Sequence, residues 1–358
     1  MPTRTIDTVT PLAFGAVSIG FPVVQAALSG YSDWPMRSLA RSHGAGYTLH
    51  EVLLDQFLVT LRDKRKKTSH FLHISDDEHP VGGQLMGAEP EQFSAGASKL
   101  VQAGFDVIDI NFGCPVKKVI GRCRGGFHLS QPAVALEIVR RTRDVVPDAI
   151  PVTVKMRRGV DDSQQSRDQF FEILDGTIDA GISAVTVHGR TVEQRYLGAS
   201  RWEFLAEVKQ HVGAFTILGS GDLFSAEDCW NMMQDTGVDG VTVARGAIGN
   251  PWIFQQAAAL FSGMPLPDPP TIFQQRLVIE RHFDLATQLY GEKRAALTLR
   301  KFGVKYAASH TQHERVKLAL VRASSKADWL SLLDQFYSVD GPGQYPSRDI
   351  HRVQGECG

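Results

Sequence analysis

"DVIDINFGCPVKK", residues 106–118, decides how this chain folds. Val107, Ile108 and Ile110 make a short apolar, β-branched run. It ends on an amide, Asn111, and the chain then turns through Gly113, Cys114 and Pro115. A run of this kind, bounded by turn residues, reads as a strand buried on both faces. Seven more runs share the form: FPVVQAA (21–27), YTLHEV (47–52), PVGGQLM (80–86), IPVTVKM (150–156), SAVTVHG (183–189), FTILGS (215–220) and DGVTVAR (239–245). Segments 34–42, 89–103, 131–145, 163–180, 202–211, 225–236 and 251–261 have helical composition. Ser225 followed by Asp228 is a capping-box start.

Eight buried strands with helical crossovers predict an α/β chain, a closed (β/α)8 TIM barrel. An open doubly wound sheet is the alternative. Polar residues favour the barrel, because they recur at the C-terminal ends of the runs: Gln84, Asn111, Lys155, His188, Ser220 and Arg245. A closed barrel brings those ends to one mouth. The barrel is expected over 22–262. Residues 1–21 are expected as an N-terminal extension, in which 11–24 read as a hairpin turning near Gly15 or Gly20 and capping the barrel bottom. A Pro-rich linker, SGMPLPDPP (262–270), follows the barrel. A small all-helical domain is expected over 271–338, and a flexible tail over 339–358.

The chain has 358 residues, is 43% hydrophobic and carries a net charge of −1, so it can bury a large core and is no polycation. Four cysteines (Cys114, Cys123, Cys229 and Cys357) are too few and too scattered for a disulfide framework, and none makes a zinc spacing. No metal is expected. No apolar run approaches a membrane span and no signal-peptide core is visible, so a cytoplasmic protein is expected. The neutrality breaks locally. Between 293 and 326 nine basic side chains, Arg300 and Lys301 among them, stand against the single acid Glu314, a net of +8. A solvated helix face would account for some of this, but such a concentration suits a polyanion.

The loops after the seventh and eighth runs, GSGD (219–222) and ARGAIGNPW (244–252), are small and positioned for a phosphate, with Arg245 available for a charge-assisted bond. "GSGDLF" lacks the third glycine of a dinucleotide fingerprint, so a mononucleotide phosphate is expected. Gln84, Lys155 and His188 come from three strand ends. A lysine there suits the N1–C2=O edge of a reduced flavin, Gln84 a pyrimidine-like edge, and His188 a phosphate or ribityl chain. Cys114 sits in a loop past a strand end, and Lys117 and Lys118 are expected to lower its pKa. At the usual ~8.5 a thiol serves as general acid or as nucleophile, and the residues alone leave both open.

"NFGCPVKKV" resembles the signature of the tRNA-dihydrouridine synthases, which reduce uridine in tRNA. Further stretches are similar in order: AALSGYSDWPMRSLAR (26–41), VGGQLMG (81–87), PVTVKMRRG (151–159), VHGRTVEQRYLGASRW (187–202), GSGD, GVDGVTVARGAIGNPWIF (237–254) and LRKFGVKY (299–306). The resemblance covers about 12–310. It implies FMN, with Ala27, Leu28 and Ser29 meeting the flavin through backbone. It implies that Gln84 and Lys155 hold the ring, with His188, Ser220, Gly221, Asp222, Ala244 and Arg245 around the ribityl phosphate. Asn111 is implied to hold flavin or uracil, and Cys114 to be the proton donor. The implied reaction is reduction of FMN by NADPH, hydride transfer from flavin N5 to uracil C6, and protonation of C5 by Cys114. A flipped uridine and tRNA held on the basic helical domain are implied with it, with Arg190, Arg300 and Lys301 as RNA contacts. A monomer is expected.

The chain departs from the family pattern at Ala27-Leu28, usually Pro-Met, and at Ser220, usually Asn. The largest departure is GRCRGGFHLSQP (121–132), where the family has small neutral residues. Arg122, Arg124 and His128 there imply a different RNA contact or a different target uridine. Cys123 reads as structural, with a disulfide to Cys114 as the other possibility. Two other functions fit part of the pattern. One is an FMN barrel oxidoreductase acting on a small pyrimidine-like molecule. The other is a non-catalytic RNA-binding paralogue.

Overall fold

The computed structural model describes residues 10–61 and 69–348. The start of the expected extension (1–9), the end of the expected tail (349–358) and Cys357 lie outside these residues. The chain enters through an antiparallel hairpin, β1 (Leu12–Phe14) and β2 (Val17–Gly20), that turns at Gly15 with φ 52°. After the hairpin come β3 (Val23–Gln25), β4 (Thr48–Leu49), β5 (Leu53–Leu54), β6 (Val81–Met86), β7 (Val107–Phe112), β8 (Val152–Arg157), β9 (Ala184–His188), β10 (Ile217–Ser220) and β11 (Gly240–Val243).

All pairings from β3 onward are parallel. Neighbours run β4-β3-β11-β10-β9-β8-β7-β6, and a β4–β6 pairing closes the ring at eight strands. All eight apolar runs become ring strands, so the fold is the closed barrel and not the open sheet. The two-residue β5 sits outside the ring, paired to the end of β6. It has no counterpart in the sequence reading.

The crossover helices cover the ring. They are α1 (Trp34–Ser42), α2 (Asp55–Thr60), α3 (Pro90–Gln102), α4 (Lys117–Ile120), α5 (Pro132–Val145), α6 (Gln164–Asp179), α7 (Trp202–Val212), α8 (Ala226–Thr236) and α9 (Trp252–Phe261). Their starts follow the side chains that satisfy free N–H groups. Asp33 accepts from the Met36 amide at 3.2 Å, and Ser225 and Asp228 form the expected capping box of α8. Apolar faces such as Phe93, Ala97 and Leu100 of α3 pack on the barrel, each large side chain contributing about 1.5–3 kcal/mol of burial.

The hairpin stops the lower end of the barrel. Leu12, Phe14 and Ile19 pack with Val24, Tyr47, Val107, Ala184 and Leu218 in an apolar cluster separate from the main core. Beyond the linker the described residues form α10 (Ile272–Tyr290), α11 (Glu292–Thr298), α12 (Arg300–Tyr306), α13 (His313–Leu320) and α14 (Lys326–Phe336). These helices share a core through Phe302, Trp329 and Tyr337. They also seat on the barrel mouth. Tyr290 donates to Asp33 at 2.9 Å, and Phe302 meets Tyr31 edge-on at 5.3 Å.

The tail differs from expectation in its described part. The Gln344 amide donates to Ser309 O at 2.9 Å, Tyr345 bonds Pro267 O, and Arg348 pairs with Asp228. Residues 339–348 are therefore bonded back across the linker to α8. Gly343 permits this, since a Cβ there would lie 2.1 Å from Pro270 O.

Candidate active site

The C-terminal ends of the ring strands surround a cavity of about 360 Å³. Parallel register sets its floor. Gln84 stands beside Asp109, Asn111 beside Lys155, Arg157 beside His188, and His188 beside Ser220. The cavity wall includes Ala27, Leu28, Ser29, Gln84, Asn111, Cys114, Lys155, His188, Ser220, Gly221, Asp222, Ala244 and Arg245. The structure thus brings together every residue singled out for cofactor or catalysis.

A hydrogen-bond relay orders one side. Asp109, buried, accepts from Thr153 Oγ1 at 2.6 Å and from Gln84 Nε2 at 2.7 Å. That fixes Gln84 Oε1 as an acceptor, and Asn111 Nδ2 donates to it at 2.7 Å. Asn111 Oδ1 in turn accepts from the amides of Gly113 at 2.9 Å and Cys114 at 3.1 Å. One carboxylate therefore sets the direction of two amides and the start of the cysteine loop.

Burial, not the lysines, governs Cys114. It pushes the thiol above its ordinary value, against a backbone bond from Val116 and the charge of Arg157. The expected lowering by Lys117 and Lys118 is overturned, because both are exposed on α4 and act on it through solvent. A thiol held protonated at neutral pH is an acid before it is a nucleophile.

The other side is cationic. Burial brings Lys155 down to about 8, although Asp109 favours its charge, and its Nζ donates to Ser220 Oγ at 3.3 Å. Burial, then Arg157, Lys155, Arg190 and Arg245, holds His188 well below its ordinary value. Arg245 lies 4.8 Å over Tyr196 and 5.2 Å over Phe224. The turn after β10 is close-fitting. A Cβ on Gly221 would lie 2.4 Å from Ser200 Oγ and 2.6 Å from the His188 ring. Four cations surround a neutral imidazole, and among the described residues Asp222 is the one carboxylate lining the cavity. That balance fits a dianionic phosphate. The Gln84, Asn111 and Lys155 row, with the apolar Ala26, Leu28, Val52 and Ile248, fits a flat ring with one polar edge. Among the described residues no group of three or more His, Cys, Asp or Glu could hold a metal.

Arg190 corrects one expectation. It is 3% exposed, binds both Asp222 oxygens at 2.7 and 2.8 Å and donates to Gly198 O. No face is left for RNA. It braces the Asp222 turn instead. Arg300 is partly exposed, whereas Lys301 bonds Gly30 O and lies 5.0 Å over Tyr31.

The unusual 121–132 segment divides in two. Arg124 is buried and donates to Gln56 Oε1 at 2.6 Å, and His128 is buried with Nε2 on Gly87 O at 3.0 Å. Both pin the loop to α2 and β6. Gly125 and Gly126 let it lie on Cys114, since a Cβ on Gly125 would be 2.8 Å from Cys114 Cβ. Arg122 and Cys123 are exposed, and Cys114 and Cys123 are free thiols.

Sequence reasoning missed Asp109, Arg157 and Tyr196. Arg157 donates to Gly113 O at 2.8 Å and to Thr191 O and Arg195 O, tying the cysteine loop to the 190s loop. The signal for it was present, a basic residue two positions after Lys155 on the same strand face.

Residues 24–339 match the family model described as dihydrouridine synthase. The chain is 33% identical over 352 residues to a probable tRNA-dihydrouridine synthase of Mycobacterium tuberculosis, covering 96% of this chain and 88% of the relative. It is 29% identical over 332 residues to tRNA-dihydrouridine synthase B of Xanthomonas campestris, covering 92% and 96%. Among solved structures, morphinone reductase in complex with tetrahydroNAD aligns with a TM-score of 0.54 at 13% identity, over 73% of this chain and 92% of that one. Histamine dehydrogenase from Rhizobium sp. 4-9 aligns at 0.56 and 14%, over 78% of this chain and 51% of that one. These likenesses are to the barrel fold.

Proposed function

We propose that this chain, which belongs to the dihydrouridine synthase family, reduces the C5–C6 double bond of specific uridines in tRNA to 5,6-dihydrouridine, with FMN as cofactor and NADPH as reductant. One observation carries the reading. A thiol held protonated, a polar amide row and a cationic phosphate-sized corner line a single cavity. Bound FMN, with NADPH as its reductant, would supply the hydride chemistry that saturating the uracil C5–C6 bond needs. Gln84 and Lys155 hold the polar edge of its ring, and the Lys155 ammonium favours negative charge there. Ala27, Leu28 and Ser29 back the ring through main chain. His188, Ser220, Gly221, Ala244 and Arg245 take the ribityl phosphate. Asp222 joins them through its main chain, its carboxylate being engaged by Arg190. Asn111 orients ring or uracil. Cys114 passes the proton on Sγ to C5, and water returns a proton to the thiolate.

A stacked base cannot enter a cavity at the bottom of a barrel mouth, so the uridine flips out. On this reading residues 22–262 bind the cofactor, 271–338 hold tRNA by its phosphates, with Arg300 and Lys301 as contacts, and the protein acts as a monomer. The test is Cys114→Ala. NADPH oxidation by the flavin-loaded protein is expected to persist while dihydrouridine formation in tRNA falls by about 10²–10⁴-fold, the usual worth of a general acid. Equal loss of both half-reactions would overturn the proton-donor role. Purified protein that binds no FMN would overturn the whole assignment.

A further inference from the structure

We propose that the exposed turn around α4 is a second phosphate-holding surface, gripping the RNA backbone through Lys117, Lys118 and Arg122 at the rim opposite the helical part. The proposal rests on tRNA being the substrate. Its geometry comes from the ring order. β7 leads directly into this turn, and β7 stands four strands from β11 whichever way the barrel is followed. α12 seats on the loop after β11: a Cβ on Gly249 would lie 2.6 Å from the Tyr306 amide. Lys301 reaches the loop after β3, the neighbour of β11. The two basic surfaces therefore face each other across the mouth.

The turn is built to present charge. Val116, Lys117, Lys118, Arg122 and Cys123 are exposed, while Arg124, Gly125 and Gly126 behind them are buried and hold the loop down. From 110 to 136 the chain has no Asp or Glu. Among the described residues the side chains of Lys117, Lys118 and Arg122 make no ion pair or hydrogen bond. The contrast is with the cavity lined by Arg158, Arg167 and Arg201, where Asp162 and Glu207 neutralise the guanidiniums. Three unneutralised cations follow Cys114 within eight residues, where a flipped nucleotide would have its flanking phosphates. Backbone charge is what such a surface reads.

The test is the salt dependence of binding of bulk tRNA that lacks dihydrouridine to the FMN-loaded protein. Lys117→Gln, Lys118→Gln and Arg122→Gln together should weaken binding at each salt concentration. They should also flatten the slope of log affinity against log salt by about 2–3, roughly one for each phosphate no longer neutralised. Arg140→Gln, on the outer helix α5, should change neither. Melting curves check folding, and if the triple variant melts early the three single variants are read instead, each expected to remove about one unit. Unchanged slope and affinity would overturn the proposal. So would an effect confined to the KM for NADPH, or to phosphatidylglycerol vesicles. Dihydrouridine formation by the unaltered protein is measured alongside. If it forms none, the assigned reaction fails; if it forms dihydrouridine and the variant binds tRNA normally, only this surface fails.

Discussion

Asp109 does two jobs that a pair of substitutions separates. Its carboxylate directs the Gln84–Asn111 relay, and its charge favours the Lys155 ammonium. Asp109→Asn can keep the relay, with Oδ1 accepting from Gln84 and Nδ2 donating to Thr153 Oγ1, but it removes the charge. Lys155 then titrates below its present value of about 8. The alkaline limb of the pH–rate profile for NADPH oxidation is expected to move to lower pH, with alkylation of Cys114 unchanged. Asp109→Leu should break the relay as well and speed or slow that alkylation. An unmoved alkaline limb in Asp109→Asn would contradict the charge role. At this scale Gln84, Asn111, Lys155, His188, Ser220 and Arg245 were legible because each is polar at the end of an apolar run, whereas Ala27, Leu28, Ser29, Gly221, Asp222 and Ala244 were singled out individually only through the family resemblance. Arg190 was misread because a basic residue in a loop looks alike whether solvated or buried. Asp222, which settles the matter, lies 32 positions away. Arg124 and His128 were misread for the same reason, their partners being Gln56 and Gly87.

Among the elements, α12 owes its seat to a glycine. Gly249 has φ 68°, and a Cβ there would lie 2.6–2.7 Å from the backbone of Lys305 and Tyr306. Gly249→Ala must push α12 off the barrel or strain the loop. A stability loss of about 1–3 kcal/mol is expected, the usual cost of overpacking, together with weaker tRNA binding. Chemical denaturation and tRNA titration measure the two. A variant as stable as the parent would show that α12 is not held there. The ring strands and the large helices were legible from period and length, since burial on both faces leaves a continuous apolar signature. The stretch from 53 to 78 was not. β5 has two residues, α2 has six, and Ser69–Leu72 and Asp76–Glu78 are single 3-10 turns, all too short for a period to register. The tail, rich in Gly and Pro, carried no sign of its anchors, because single bonds to Ser309, Pro267 and Asp228 leave no pattern.

Across the whole molecule, buried histidines set the acid limit. Burial takes His50 and His282 down to about 3, and His188 well below its ordinary value. In the unfolded chain each protonates near ~6.5, so their contribution is complete above that pH and drains away as pH falls. Asp33 works the other way. Burial raises it to about 6, so its ionisation weighs on the fold above pH 6 and the burden lifts toward the unfolded value of 3.8. Asp55 and Asp109 are raised as Asp33 is, but His43, His73, His128 and His313 are lowered as well, so the histidines outnumber the carboxylates and the melting temperature is expected to fall between about pH 6.5 and 4 at constant ionic strength. A flat or rising profile would mean that these imidazoles titrate in the folded state. A last consequence belongs to the hairpin of β1 and β2. Leu12, Phe14 and Ile19 stopper the base, so among the described residues the cavity opens at the mouth. On the proposed reaction, reductant and RNA would share that mouth, and the order of events in the catalytic cycle would be a matter of traffic as much as of chemistry.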